Sequence, residues 1–289
     1  MFDSKLLVWL VCLILSGCSN SEFKHSVDSP AVLRVMSFNV RVPTDNFPNN
    51  WTLRRHLVSN VLKEQQPDII AFQEMKSEQK QFLLAKFPHY LSIGTGRNED
   101  GSGEATNIFY NQQRLKLDVE VSGSFWFSDS PNVPGSKHWG NKHIRNATLA
   151  KFIDLTTGKP LTVVNNHWGY SQKFHLKAAK LVRQQINQQQ KDNEAVVVLG
   201  DFNSLPKFKG LAELMAKESN APLIDSWQVS DVDMDGYTFH DFTGKGFKRL
   251  DYIFLNEVVS IESSTKIIQS KWYNRWPSDH FPLMVKITL

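Results

Sequence analysis

Cysteine is nearly absent from the chain. Cys12 and Cys18 are the only two in 289 residues, and both fall within the first twenty positions. The remaining body therefore has no disulfide, no thiol nucleophile and no thiolate metal site. Any metal it binds must be held by oxygen or imidazole. Long apolar runs are missing after the first fifteen residues, which excludes a helical membrane span in the interior. Low-complexity segments and an interdomain linker are missing as well. Neither sign of charge is scarce: 33 Lys and Arg stand against 29 Asp and Glu, for a net charge of +4. That small surplus suits an anionic substrate and does not separate nucleic acid from a membrane surface. With 41% hydrophobic and 21% charged residues, the composition and length fit one large α/β or sandwich domain.

The amino terminus reads "MFDSKLLVWLVCLILSGCSN". Lys5 precedes an apolar run from Leu6 to Leu15, followed by the small residues Ser16 and Gly17. A charged start, a short hydrophobic stretch and a small-residue end describe an export signal rather than an anchor helix. The ending Leu15-Ser16-Gly17-Cys18 resembles a bacterial lipobox. The expectation is therefore a signal peptide over residues 1–17, a lipidated Cys18, a flexible tether over 18–31 and a folded domain over 32–289. Ser19 after the cysteine, instead of aspartate, favours the outer membrane by the same resemblance. A plain secretory peptide with an incidental cysteine is the alternative.

The body opens on "VLRVMSFNVR" (32–41), a valine-rich run that reads as a buried strand. A helix follows over "WTLRRHLVSNVLKEQQ" (51–66), with Leu53, Leu57, Val61 and Leu62 on one face. "PDIIAFQEM" (67–75) is a short buried strand that stops at Gln73 and Glu74. The same order returns later. "LTVVNNHWGY" (161–170) is a strand, Gln172–Gln190 is an amphipathic helix with Leu176, Ala179, Val182 and Ile186 in register, and "AVVVLGDFN" (195–203) is a strand ending in a carboxylate and an amide. Two β–α–β units of similar length predict an internally duplicated architecture. Further short strands ("TNIFYN", "LDVEVSG", "LAKFIDL", "LDYIFL", "LMVKITL") indicate one α/β or α+β domain of stacked sheets.

Asn39, Glu74, His167, Asp201, Asn203, Asp251, Asp279 and His280 each lie in, at the end of, or beside an apolar strand. Carboxylates at the rim of a core are costly unless a cation or hydrogen bonds stabilise them. Crowded carboxylates call for a hard divalent cation, and oxygen ligands select Mg²⁺, Mn²⁺ or Ca²⁺ over zinc. A Mg²⁺ site that keeps open positions for phosphate oxygens is the setting for metal-assisted phosphoester hydrolysis. Taken singly, each residue has a plainer reading. An Asp or Asn after a strand is commonly a turn former, a lone His is commonly structural, and Asp251 can pair with Arg249 or Lys248.

In order, the chain carries "MSFNVR", "IIAFQEM", "NNHWGY", "LGDFNSLP", "RLDYIFL" and "PSDHFPL". This series resembles the endonuclease/exonuclease/phosphatase superfamily, the deoxyribonuclease I-like metal-dependent phosphoesterases, over about 32–289. "GTGRNEDGSGEATNIFYN", "GSFWFSDSPNVPGSKHW", "TFHDFTGK" and "RWPSDHFPL" are similar to a bacterial branch related to the nocturnin and deadenylase group. The resemblance implies a four-layer sandwich: two central mixed β-sheets packed face to face, helices outside, and the site at one edge. It implies Glu74 as the principal ligand of Mg²⁺ (or Mn²⁺), with Asn39 and Asp279 close to the same ion. Asp201 would position or deprotonate the attacking water, helped by Asn203. His167 and His280 would donate to the scissile phosphate, and Asp251 would orient His280.

Two departures from the branch stand beside these motifs. Trp168, Gly169 and Tyr170 follow His167 where an apolar residue and Asp-His are usual, and a second His-Gly-Phe position reads His240-Asp241-Phe242. Arg97, Glu104, Arg145, Trp168 and His240 are the candidates for substrate contacts, with a salt bridge and core packing as the alternatives for Arg145 and Trp168. The expected partners are a phosphoester substrate, nucleic acid among the options, and a membrane reached through the lipid anchor; a monomer is expected. A nuclease calls for a basic groove, for which Lys137, Lys142, Arg145, Lys173, Lys245 and Lys248 are available. A phospholipase or sphingomyelinase calls for an exposed apolar loop such as "GSFWFSDSP", and a phosphatase for a closed pocket. A catalytically silent binding protein on the same fold is the reading from another class.

Overall fold

The computed structural model describes residue 29 and residues 31–137, 139–189, 191, 193–216, 222–229 and 235–289. The expected signal peptide and the lipidated Cys18 lie outside the described residues. Among those described, no helix is long and apolar enough to cross a membrane.

Two six-stranded sheets form the centre. The first contains β1 (Leu33–Asn39), β2 (Ile69–Gln73), β3 (Tyr90–Ile93), β4 (Ile108–Asn111), β11 (Ser260–Ile267) and β12 (Leu283–Thr288), in the order β11-β12-β1-β2-β4-β3. The second contains β5 (Leu115–Trp126), β6 (Asn146–Asp154), β7 (Pro160–His167), β8 (Ala195–Asp201), β9 (Leu223–Asp225) and β10 (Asp251–Asn256), in the order β5-β6-β7-β8-β10-β9. The helices are α1 (Trp51–Gln65), α2 (Ser77–Lys86), α3 (Gln172–Gln189) and α4 (Lys209–Leu214).

The layering follows from strand alternation. Val35, Ile69 and Ala71 of the first sheet share one core cluster with Val163, Val197, Leu199 and Ile253 of the second. The alternate residues Met36, Phe38, Ile70 and Phe72 face outward and pack with Val58, Val61 and Leu62 of α1 and Leu83 of α2. On the far side, Val164, Val196 and Val198 pack with Phe174, Ala178, Val182 and Ile186 of α3 and Leu211 of α4. Strands covered on both faces read as continuous apolar runs, which is why "VVVL" shows no alternation. The result is the four-layer sandwich, helix–sheet–sheet–helix.

The duplication is also present. β1 and β2 are parallel neighbours joined through α1, and β7 and β8 are parallel neighbours joined through α3. The α1 helix departs from expectation in one respect: Arg54 is buried and Leu53 only half-buried. Its guanidinium donates to the carbonyls of Asn49 (2.6 Å), Val40 (2.8 Å), Pro277 (2.9 Å) and Val42 (3.0 Å), tying the loop after β1 to the loop before β12. In α3, Leu176 is half-buried, and Phe174, Ala178 and Leu181 join the inward face.

Candidate active site

Strand register brings the polar ends together. In the parallel pair β1–β2, Asn39 lies opposite Gln73, and Glu74 follows directly in a left-handed conformation (φ +60°). In β7–β8, His167 lies opposite Asp201, and antiparallel β10 sets Asp251 opposite the same aspartate. Gly200 makes this approach possible. At φ +137° its missing Cβ would sit 2.1 Å from the Asn166 carbonyl oxygen, so only glycine lets β8 run this close to β7. Between the sheets, the Gln73 amide donates to Asn165 Oδ1 at 2.8 Å, and the Asn165 amide donates to the Phe72 and Asn107 carbonyls. These bonds fix the two halves of the site relative to each other. Ser278 closes the ring, donating to the Asn39 carbonyl at 2.6 Å and to Asp279 Oδ1 at 3.2 Å.

The eight expected residues gather around one cleft. Asn39 Nδ2 donates to Glu74 Oε1 (3.2 Å) and to Asp201 Oδ2 (3.0 Å). The second Glu74 oxygen accepts from the Val42 backbone at 3.1 Å. His167 Nε2 and His280 Nε2 lie 3.6 and 3.9 Å from Asp201 Oδ2. Asp201 Oδ1 accepts from the Asn203 backbone at 2.9 Å, while the Asn203 side chain donates to the Trp168 carbonyl at 3.1 Å. His280 Nδ1 meets Asp251 Oδ2 at 2.8 Å. Asp251 thus takes neither of its alternative partners, since Arg249 pairs with Asp225 at 2.7 Å. A pocket of about 390 Å³ opens onto Glu74, Asp201, Asn203, Asp279 and His280.

Burial and crowding set the charge states. Burial, with Asp251 and Glu74 nearby, pushes the Asp201 carboxyl up to about 7 against the pull of His280. Burial raises Asp279 too, and Glu74 adds to it. His280 goes the other way. Burial disfavours its imidazolium, but Asp251, Asp201 and Asp279 outweigh that and push it up to about 10. Burial holds His167 well below the ordinary imidazole range, and the Arg145 and Arg97 cations deepen the effect.

The two imidazoles therefore have different states. Arg145 Nη1 lies 2.9 Å from His167 Nδ1, and a guanidinium can only donate. His167 Nδ1 is then an acceptor, and the ring proton sits on Nε2, facing Asp201. A donor Nε2–H cannot ligate a cation, so the grouping of Glu74, His167 and Asp201, whose ligand atoms lie within 4.8 Å of one another, has only oxygens to offer. In the second grouping, Asp201, Asp251 and His280, the imidazolium is itself the cation. A metal would be held by the carboxylate oxygens of Glu74 and Asp279, with the Asn39 amide, whose Nδ2 faces Glu74 and Asp201, beside them. That donor set fits a hard divalent ion, and burial, which raises the Asp201 and Asp279 carboxyls, disfavours their charged forms, which such a partner would stabilise.

The substrate candidates divide. Arg97, Glu104 and Arg145 form an ion-paired chain, half-buried at Arg97 and Glu104 and buried at Arg145, with Arg97 Nη1 2.6 Å and Arg145 Nη1 3.5 Å from Glu104 Oε2. Arg145 ends on His167 instead of reaching into the pocket. Trp168 is fully buried, packed on Phe202 at 4.8 Å. His240 is fully buried, stacked on Phe281 at 3.9 Å. Tyr170, part of the departure noted after His167, lines the pocket, and so do Arg41, Phe208 and Phe239, which the sequence reading did not single out. Arg41, the last residue of "MSFNVR", lies 3.4 Å from Asp279 Oδ2, and its place directly after the strand that carries Asn39 was the available signal.

Residues 36–280 match the profile of the endonuclease/exonuclease/phosphatase family, and the chain belongs to that family. Members generally hydrolyse phosphoester bonds and typically use divalent metals. The chain is similar to an endonuclease/exonuclease/phosphatase from Bacteroides vulgatus, with 30% identity, a TM-score of 0.80 and coverage of 89% of this chain and 99% of that one. It is similar to a mannosyl-6-phosphatase from Bacteroides thetaiotaomicron, with 26% identity, a TM-score of 0.81 and coverage of 89% and 100%. The human nocturnin catalytic domain shares the fold at 19% identity, with a TM-score of 0.71 and coverage of 91% and 96%.

Proposed function

We propose that the protein is a divalent-metal-dependent phosphoester hydrolase of the bacterial cell envelope, acting as a monomer. The observation that carries this reading is the convergence of Glu74, Asp201, Asp279 and His280 on one pocket. Held by the Glu74 and Asp279 carboxylates beside Asn39, Mg²⁺ or Mn²⁺ would supply Lewis-acid chemistry to the phosphate. Asp201, poised near neutrality, orients a water and takes its proton as the oxygen bonds to phosphorus. His167 Nε2–H, His280 Nε2–H and the Asn203 amide donate to the charge that grows on the phosphoryl oxygens. The ester P–O bond breaks on the opposite side, and the leaving oxygen collects a proton from solvent. Asp251 holds the His280 imidazolium in place through Nδ1. The amino-terminal lipobox-like motif supports attachment through Cys18.

A small phosphate ester, such as a sugar phosphate, is the substrate class that specific observations favour. The pocket lies at the small end of ligand-site sizes, and Tyr170, Leu205, Phe208 and Phe239 join the polar residues in its lining. The similar mannosyl-6-phosphatase acts at this scale. Of the six basic residues available for a nucleic-acid groove, Lys248 alone lines the pocket, and Arg145 is buried. Phe125, Trp126 and Phe127 of "GSFWFSDSP" are core residues, which removes the apolar loop that a lipid substrate calls for. Assay of purified protein with Mg²⁺ on sugar phosphates, bis-p-nitrophenyl phosphate, DNA, RNA and sphingomyelin tests the reading. Glu74→Ala is expected to lower turnover at least ~100-fold, and an unchanged rate would count against it.

A further inference from the structure

A second pocket of about 340 Å³ adjoins the first, and Asp241 lines both. The Asp241 backbone donates to the Asp279 carbonyl at 3.1 Å, so the second pocket begins one residue from the site of the chemistry. Its rim is unusual in three ways. Asp241, Phe242, Tyr273 and Asn274 all have positive φ, between +47° and +59°. Side-chain-bearing residues rarely adopt that conformation, and it concentrates at ligand sites. Tyr273 and Asn274 form the tip of a two-residue hairpin closed by Trp272 and Arg275 (3.1 and 2.9 Å). Asn and Gly suit such a tip, yet the first position holds a tyrosine that is 90% exposed. Next to the pocket, Phe47 is 75% exposed, with the Arg275 guanidinium 5.5 Å from its ring.

Polar groups stand among these rings. The side chains of Asn49, Asp241 and Asn274 line the pocket, and none has a hydrogen bond or ion pair to another described residue. Aromatic faces flanked by free carboxylate and amide groups suit a pyranose ring, whose C–H face lies on an aromatic ring while its hydroxyls hydrogen-bond at the edge. A second phosphate is disfavoured, because the Asp241 carboxylate stands between the two pockets. The cations around the second pocket are engaged with rings: Arg275, which lines the pocket, lies over Phe47, Lys271 over Trp276 and the buried Arg54 over Phe242.

We propose that this second pocket is a saccharide subsite, which holds the sugar ring next to the phosphorylated one. The proposal rests on the sugar-phosphate reading above and narrows it to phosphorylated oligosaccharides. The test compares mannobiose 6-phosphate, mannose 6-phosphate and p-nitrophenyl phosphate as substrates of the full protein with Mg²⁺. The wild type is expected to show a KM at least tenfold lower for the disaccharide ester than for the monosaccharide ester. Tyr273→Ala is expected to abolish that advantage while leaving kcat/KM on p-nitrophenyl phosphate within twofold, and Tyr273→Phe to preserve it. Equal KM values in the wild type, or an equal loss on all three substrates in Tyr273→Ala, overturn the proposal.

A second readout needs no turnover. Mannobiose is expected to change the tryptophan fluorescence of the EDTA-treated protein through Trp276, and Trp276→Phe to remove the change. If that binding is seen but no phosphate ester is cleaved, the hydrolase reading fails and the subsite stands. If no saccharide binds, or a short oligonucleotide displaces it, the subsite fails.

Discussion

The two imidazoles of the site differ through their partners. Asp251 helps keep His280 a cation, while burial keeps His167 neutral and Arg145 at Nδ1 leaves its proton on Nε2. Arg145 is thus a positioning residue, and its loss frees the His167 ring to turn or to take the other tautomer. Arg145→Gln is expected to lower kcat about tenfold with little change in KM. In ¹⁵N-resolved spectra, wild-type His167 should show an unprotonated Nδ1 and a protonated Nε2, a pattern lost in the variant and retained in part by Arg145→Lys. A third histidine, His175, bears on stability. Burial lowers it from the ordinary 6.5, while its Nε2 meets the Gly169 carbonyl at 2.7 Å. The unfolded chain therefore binds this proton more readily than the folded one. The stability it contributes is whole above about pH 6.5 and is lost as the pH falls below that value. Denaturant midpoints of His175→Gln are expected to fall less steeply between pH 6.5 and 5 than those of the wild type.

The strands decide how the site is assembled, and they were also the most legible part of the sequence. Continuous apolar runs ending in Asn39, Gln73–Glu74, His167 and Asp201 announced buried strands of two β–α–β units, and the parallel register found in the structure aligns their ends. The positions of α1 and α3 were legible from helical period, but their inward faces were not fully so. Arg54 sits where an apolar residue was expected, because its five donors reach loop carbonyls that no local pattern reveals. The polar edge strand β11, with its register shifts against β12, gave too irregular an alternation to be read. Gly200 is the element most exposed to substitution. Gly200→Ala combines a left-side φ with a 2.1 Å contact and is expected to destabilise the fold by at least ~2 kcal/mol. A thermal melt that matches the wild type would show that β8 can move away from β7 without penalty.

The two sheets together bring side chains from segments as far apart as Asn39 and His280 to one edge. The candidate site residues, which the structure brings to one cleft, were picked out by the order of six short motifs, not by any one of them. The substrate contacts were less legible, because Trp168 and His240 carry the same side chains whether they face a pocket or the core, and only packing decides. The class of chemistry rests on a single physical claim: buried oxygens at that edge require a divalent cation to complete a phosphoester-cleaving site. The most direct measurement is hydrolysis of p-nitrophenyl phosphate and bis-p-nitrophenyl phosphate by the purified protein, before and after EDTA, with Mg²⁺ or Mn²⁺ added back. The account expects turnover that EDTA abolishes, that either ion restores, and that Asp201→Asn lowers at least ~100-fold. Equal turnover without metal, or in the Asp201→Asn variant, would contradict it.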